Sequence, residues 1–93
     1  MIISFTDRRT ERIFNRELVK GISNDLQDSI LRKLRILHRS MSLNDLRVPL
    51  GNRLEKLKGD REGQYSIRVN DPWRICFNWH HGDASNVEAV DYH

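Results

Sequence analysis

Asp91, Tyr92 and His93 set a carboxylate, a phenol and an imidazole in three consecutive positions at the end of a 93-residue chain. His93 is the side chain of that stretch whose ordinary pKa, about 6.5, suits proton transfer near neutrality. Asp91 and the terminal carboxylate are neighbouring anions that would stabilise its protonated ring. Asp91 could orient the imidazole or take a proton itself. Tyr92 could stack on a base or hydrogen-bond through its phenol, or it could simply close a sheet. A solvated histidine is the plain alternative for His93.

Phosphate chemistry is suggested by the cations upstream. Trp73, Ile75, Phe77 and Trp79 alternate with Arg74, Cys76 and Asn78, a strand pattern. If the apolar set faces a core, Arg74 leaves on the opposite, solvent side. Its planar fork can bond two phosphate oxygens at once. Arg68 is on the outward set of the preceding run, where Tyr65, Ile67 and Val69 alternate with Ser66, Arg68 and Asn70. A sheet face with Arg68 and Arg74, ringed by Lys58 and Arg61, would make a phosphate surface. As solvent-facing residues, Lys58 and Arg74 should each contribute only about 0.5 kcal/mol to stability.

The charge distribution agrees. Sixteen Lys and Arg against thirteen Asp and Glu give +3, and every basic residue lies between Arg8 and Arg74. Beyond Arg74 the charged residues are Asp83, Glu88 and Asp91, so a basic body meets an acidic final strand. That pairing suits a polyanion with a carboxylate brought close to it, although a solvated surface would read alike. Cys76 is the only cysteine, which excludes an internal disulfide and a thiolate metal cluster. His80 and His81 are adjacent and point apart, so with Gly82 and Asp83 they form a turn and not a metal site. No apolar run reaches the ~20 residues of a membrane span, and a cytoplasmic protein is expected.

These residues need a frame. Length and composition suit one small domain over residues 1–93. Ile2–Phe5 forms a short strand. Asp7 caps a helix running to about Lys20, with Ile13, Phe14 and Leu18 near one face, and Gly21 ends it. Ser23 or Asn24 caps a longer helix whose Leu26, Ile30, Leu34 and Leu37 make one buried stripe, with Arg32, Lys33, Arg35 and Arg39 mostly turned away. Ser42–Asp45 opens a brief turn, and Pro49 with Gly51 closes the helical half. Leu54 and Leu57 sit in a short strand or approach segment, and two glycines bracket a turn at 59–63. Three strands then follow, with turns at Asn70–Pro72 and His80–Asp83, the last strand covering Asn86–Tyr92. The fold class is α+β, with helices packed on one face of a mainly antiparallel sheet.

At 52–77 the sequence resembles the HigB toxins. The marks are the Leu57-Lys58-Gly59-Asp60-Arg61-Glu62-Gly63 turn, the Ser66-Ile67-Arg68-Val69 strand, the Trp73-Arg74-Ile75-Cys76-Phe77 strand and the ending Asp91-Tyr92-His93. The likeness extends to the Met-Ile-Ile-Ser-Phe start, and the Asn52-Arg53-Leu54-Glu55 form is most similar to the GraT-like branch. The resemblance implies a RelE-like microbial ribonuclease fold and a toxin that cuts translated messenger RNA in the ribosomal decoding site, without metal or other cofactor. It also implies a HigA-like antitoxin, whose helix-turn-helix would alone contact operator DNA. The catalytic set it implies is Lys58, Arg74, Asp91, Tyr92 and His93, with Glu55, Arg61, Arg68 and Asn70 against the RNA.

Cutting RNA through its 2′-hydroxyl needs a base, cations for the phosphorane and an acid for the leaving oxygen. Glu55 stands where some of these toxins carry a catalytic histidine. A glutamate can accept a proton but cannot be a cation beside the scissile phosphate, so weakened cleavage is expected. The alternative is an inhibitor that occupies ribosome or RNA without cutting, or a partner protein that keeps only the antitoxin surface.

Overall fold

A buried stripe of Ile30, Leu34 and Leu37 along α2 (Asn24–Arg39) is what the sheet packs against in this computed structural model, which describes residues 1–91. Ser23 caps α2, its hydroxyl accepting from the Leu26 N–H at 3.2 Å. Ahead of it lies the shorter α1 (Arg8–Phe14), capped by Asp7. The sheet is built from β1 (Glu55–Lys56), β2 (Gln64–Arg68), β3 (Trp73–His80) and β4 (Asp83–Asp91), antiparallel in the order β1-β2-β3-β4. Ile67, Ile75, Phe77, Ala84 and Val87 supply its side of the core. Trp73 and Trp79 pack against that core as expected from their period of two. Among the described residues no helix is long and apolar enough to cross a membrane.

One helical boundary differs from expectation. α1 stops at Phe14, not near Lys20, because Arg16 turns left-handed at φ 64° and its N–H bonds back to the Ile13 carbonyl. Leu18 therefore leaves the apolar face and is 75% exposed. Val19 takes the inward place. The buried Gln27 side chain accepts from the Val19 N–H and donates to the Val19 and Ile22 carbonyls, at 2.7–3.1 Å. One glutamine thus replaces a turn and a half of expected helix.

The last strand also starts earlier than expected, at Asp83. His81 and Gly82 both have positive φ, 49° and 83°, the geometry of a two-residue hairpin turn that matches strand twist. Asn86 (φ 52°) marks an irregularity in the β3–β4 register. The N-terminal segment lies along the far edge of β4 in parallel, bridging Ile2 to Ala84 and Phe5 to Val87. Asn86 N–H donates to Ser4 Oγ at 2.9 Å, and Ala89 N–H to the buried Thr10 Oγ1 at 2.9 Å.

Between α2 and β1 the chain makes two short 3-10 turns, Leu43–Arg47 and Leu50–Asn52. The first has the reciprocal Ser42/Asp45 capping box, and the two N–H groups of Met41 and Ser42 hold the Asp45 carboxyl below its usual range. Asn52 anchors the second. It is fully buried, its amide donating to the Leu46 and Val48 carbonyls while its oxygen accepts from Lys33 Nζ at 2.6 Å. Asn52→Ala should cost about 2–3 kcal/mol, since it strands buried partners. Urea unfolding of the variant with an unchanged midpoint would show that the anchor is dispensable.

Candidate active site

The face of the sheet turned away from the helices holds the residues that the sequence pattern brings together. Register sets Glu55 beside Ser66, Ser66 beside Cys76 and Cys76 beside Glu88, a row that crosses all four strands. The neighbouring row pairs Arg68 with Arg74 and Arg74 with Val90. The period-two expectation of Arg68 and Arg74 on one face is met.

The face is not open in the way expected. Ser66 and Cys76 are fully buried, and the Arg74 side chain is only 13% exposed. Arg74 folds down over Ser66 instead of leaving into solvent. Its Nε donates to Ser66 Oγ at 2.7 Å, and its Nη2 donates to the Arg53 carbonyl at 2.7 Å. Glu55 Oε1 stands 3.9 Å from the same Nη2. A charged group brought this far out of water needs such partners. The clamp exists because Arg53 is left-handed (φ 43°, ψ 59°) directly after the anchored Asn52, and this turn points the Arg53 carbonyl at Arg74. Neither Ser66 nor Arg53 was marked as a site residue by sequence. The only available sign was a polar residue in the strand row beside Arg74.

A second arginine covers the other half of the face. Arg61, on the Gly59–Arg61 turn, donates through Nη1 to Glu88 Oε1 at 2.9 Å and to Gln64 Oε1 at 3.0 Å. Gln64 and Asn86 both donate to Asn78 Oδ1, so the polar row continues to the hairpin end. Asp60, Arg61, Glu62, Gln64 and Asn78 line an open depression there.

The other expected site residues lie around this face in different ways. Lys58 is exposed at the start of the Gly59–Arg61 turn. Asn70 is exposed, with its Oδ1 accepting from the Trp73 N–H at 3.4 Å, so it closes the β2–β3 turn. Arg68 Nε bonds to Asp71 Oδ1 at 3.2 Å. Asp91 is in register with Trp73, which alternation sets on the face opposite to Arg74, at the end of β4. Tyr92 and His93 lie outside the described residues. Among the described residues no three His, Cys, Asp or Glu side chains converge in a metal-holding group.

The arrangement joins a desolvated guanidinium to a half-exposed carboxylate, 58% exposed at Glu55. Such a pair can meet developing negative charge and a departing proton at adjacent points. The burial also changes the expected cost of substitution. Arg74→Ala should lose about 2 kcal/mol of stability, because Ser66 Oγ and the Arg53 carbonyl lose a charged donor. Lys58→Ala should stay within about 0.5 kcal/mol of the parent. Equal melting temperatures for the two variants would mean that the Arg74 clamp contributes nothing to folding.

Comparison with known proteins agrees with this architecture. Residues 3–93 match the HigB-like toxin family, described as RelE-like toxins of the type II toxin–antitoxin system HigB. Toxin HigB-1 of Vibrio cholerae is 37% identical over 88 residues, covering 94% of this chain and 93% of that protein. Endoribonuclease HigB of Proteus vulgaris is 33% identical over 93 residues, covering both chains completely. Among solved structures, a YoeB–YefM complex from Staphylococcus aureus contains a chain with the same fold, at TM-score 0.62 and 18% identity, covering 100% of this chain and 98% of that one. The chain belongs to the HigB family of RelE-like toxins of type II toxin–antitoxin systems.

Proposed function

We propose that the protein is a growth-inhibiting toxin that cuts messenger RNA as it is translated in the decoding site of the ribosome. The observation that carries this reading is the full-length match to a relative named as an endoribonuclease, on a chain whose polar sheet face pairs a desolvated arginine with a carboxylate. In the proposed reaction the ribose 2′-hydroxyl oxygen bonds to the adjacent phosphorus and gives its proton to a base. The bond from phosphorus to the 5′ oxygen breaks, and an acid protonates the departing oxygen. The products are a 2′,3′-cyclic phosphate and a 5′-hydroxyl end, and side chains alone supply every proton transfer.

Arg74 is the cation for the phosphorane, with Lys58 at the rim. His93 transfers protons at the phosphate, Asp91, set by register on the opposite face of β4, orients its imidazole, and Tyr92 stacks on or hydrogen-bonds to the nucleotide. Arg61, Arg68 and Asn70 line the approach of the strand. Glu55 faces the same phosphate, and its ion pair with Arg74 offsets part of the repulsion that a lone carboxylate would exert. The partner is a HigA-like antitoxin with a helix-turn-helix, through which alone operator DNA is contacted. A ribosomal target places the protein in the cytoplasm.

A weaker reading has one observation in its favour. Arg74 is held through Nε and Nη2 by Ser66, Arg53 and Glu55, which leaves less of its fork for a phosphate. A chain that binds ribosome or RNA and blocks without cutting would tolerate that restraint. Primer extension on messenger RNA from cells expressing the wild type and His93→Ala separates the two. Discrete cuts that vanish in the variant are expected, whereas inhibition without cuts would favour blocking.

The sparse set of proton-transfer groups should make the isolated protein a poor nuclease, with ribosomal alignment supplying several powers of ten in rate. Purified chain is therefore expected to leave free messenger RNA largely intact and to cut it when translating ribosomes are added. Rapid, scattered degradation of the free RNA would contradict this. Glu55→His should raise cleavage, since it supplies a group titrating near neutrality and releases Arg74 Nη2 towards the phosphate. Reduced cleavage at equal protein levels would instead make the Glu55 carboxylate itself the proton acceptor.

A further inference from the structure

Arg68 and Arg74 are directly opposite one another on β2 and β3, yet their guanidinium groups part. Arg74 turns to Ser66 and Arg53, and Arg68 turns to Asp71. Arg53 is at the same corner, since its carbonyl accepts from Nη2 of Arg74, the residue paired with Arg68. Lys33 reaches the same corner from α2, its Nζ 2.6 Å from Asn52 Oδ1, one residue before Arg53. Burial chiefly, and then the charges of Arg32 and Arg68, lower the Lys33 pKa, so these cations feel one another. The Asp71 carboxyl is held below its usual range, first by its hydrogen bond to Arg68 and also by the charges of Arg53 and Arg74.

Two of these cations, Arg53 and Arg68, thus share Asp71, a carboxylate whose side chain is 90% exposed, and the third, Lys33, feels the charge of Arg68. Like charges at facing positions of a sheet are destabilising, and a part-buried lysine among arginines adds to that cost. An anionic ligand removes the cost. Two residues of strand, about 7 Å, separate the Arg68 row from the Ser66 row over which Arg74 lies. That spacing is on the order of one nucleotide in a single strand, so a chain of phosphates fits it better than one isolated anion. Arg68 already spends its Nε on a carboxylate, and contacts of such cations with backbone phosphates carry no base information.

We propose that Lys33, Arg53 and Arg68 form a phosphate subsite, next to the Arg74 centre, that grips the backbone of single-stranded RNA irrespective of sequence. The subsite rests on the ribonuclease reading for its ligand. Asp71 occupies Arg68 until a phosphate displaces it.

The test is fluorescence anisotropy of the full chain with a labelled 12-nucleotide RNA that is 2′-O-methylated throughout, titrated across salt concentrations. Arg53→Gln/Arg68→Gln should weaken binding about ten-fold near 0.1 M salt and flatten the log–log salt slope by about 1.4, two phosphates at roughly 0.7 each. Lys33→Gln should shift both in the same direction. Asp71→Asn should tighten binding several-fold, a gain that loss of folding cannot imitate. Wild-type affinity and slope in the double variant would overturn the subsite. So would unchanged RNA binding accompanied by lost binding of a poly-glutamate peptide, which would assign the corner to an acidic protein partner. Because the 2′-hydroxyls are blocked, the result is independent of cleavage. Binding that falls as expected, in a chain that cuts no RNA in cells, would leave the subsite standing and remove the ribonuclease reading.

Discussion

Ile75, Cys76 and Phe77 are consecutive in β3, and all three are completely buried. Consecutive strand residues point to opposite faces, so both faces of the central strand must be covered. On one side α2 does this with aliphatic side chains, in the ordinary manner of an α+β layer. Among the described residues no helix or second sheet covers the other side. The protein covers it with its own long polar side chains, Arg74 over Ser66 and Arg61 reaching to Glu88 and Gln64. Each is satisfied by hydrogen bonds, and no buried side-chain nitrogen or oxygen among the described residues lacks a partner.

This solution ties stability to chemistry. The arginine proposed to meet the phosphate is also the one that shields the sheet, and its orientation depends on a turn outside the strands. Buried Asn52 fixes that turn, left-handed Arg53 directs its carbonyl, and Glu55 two residues later faces the same guanidinium. A site held by satisfied buried polar groups is rigid. Its cost is that Arg74 meets a ligand with part of its hydrogen-bonding capacity already in use.

Much of the frame was legible in the sequence because its periods are clean. The α2 stripe, the β2–β3 alternation and the shared face of Arg68 and Arg74 follow from periods of 3.6 and 2, whereas their direct pairing is set by register. The end of α1 was not legible, since Gln27, thirteen residues beyond Phe14, competes with the helix for the Val19 backbone. The burial of Arg74 was hidden for a related reason. Alternation gives the face a residue takes, but not what else reaches across that face, and Ser66 and the Arg53 carbonyl come from elsewhere in the chain. Family blocks around 52–77 supplied the candidate residues, whereas the restraints on them emerged only from their contacts in three dimensions.

The first residues of the chain are held by the last strand. Ser4 bonds to Asn86 across 82 positions, Thr10 to Ala89 across 79, and Ile2 and Phe5 bridge to Ala84 and Val87. Contacts so distant in sequence impose a large loop-closure cost before they return any stability, which slows folding. The N-terminal segment and α1 can meet α2 through His38, but their hydrogen bonds to Asn86 and Ala89 wait for β4. The Arg61 half of the polar face waits for the same strand, since Glu88 completes it. The N-terminal edge and the Arg61 half of the polar face are therefore completed by one event, the docking of β4.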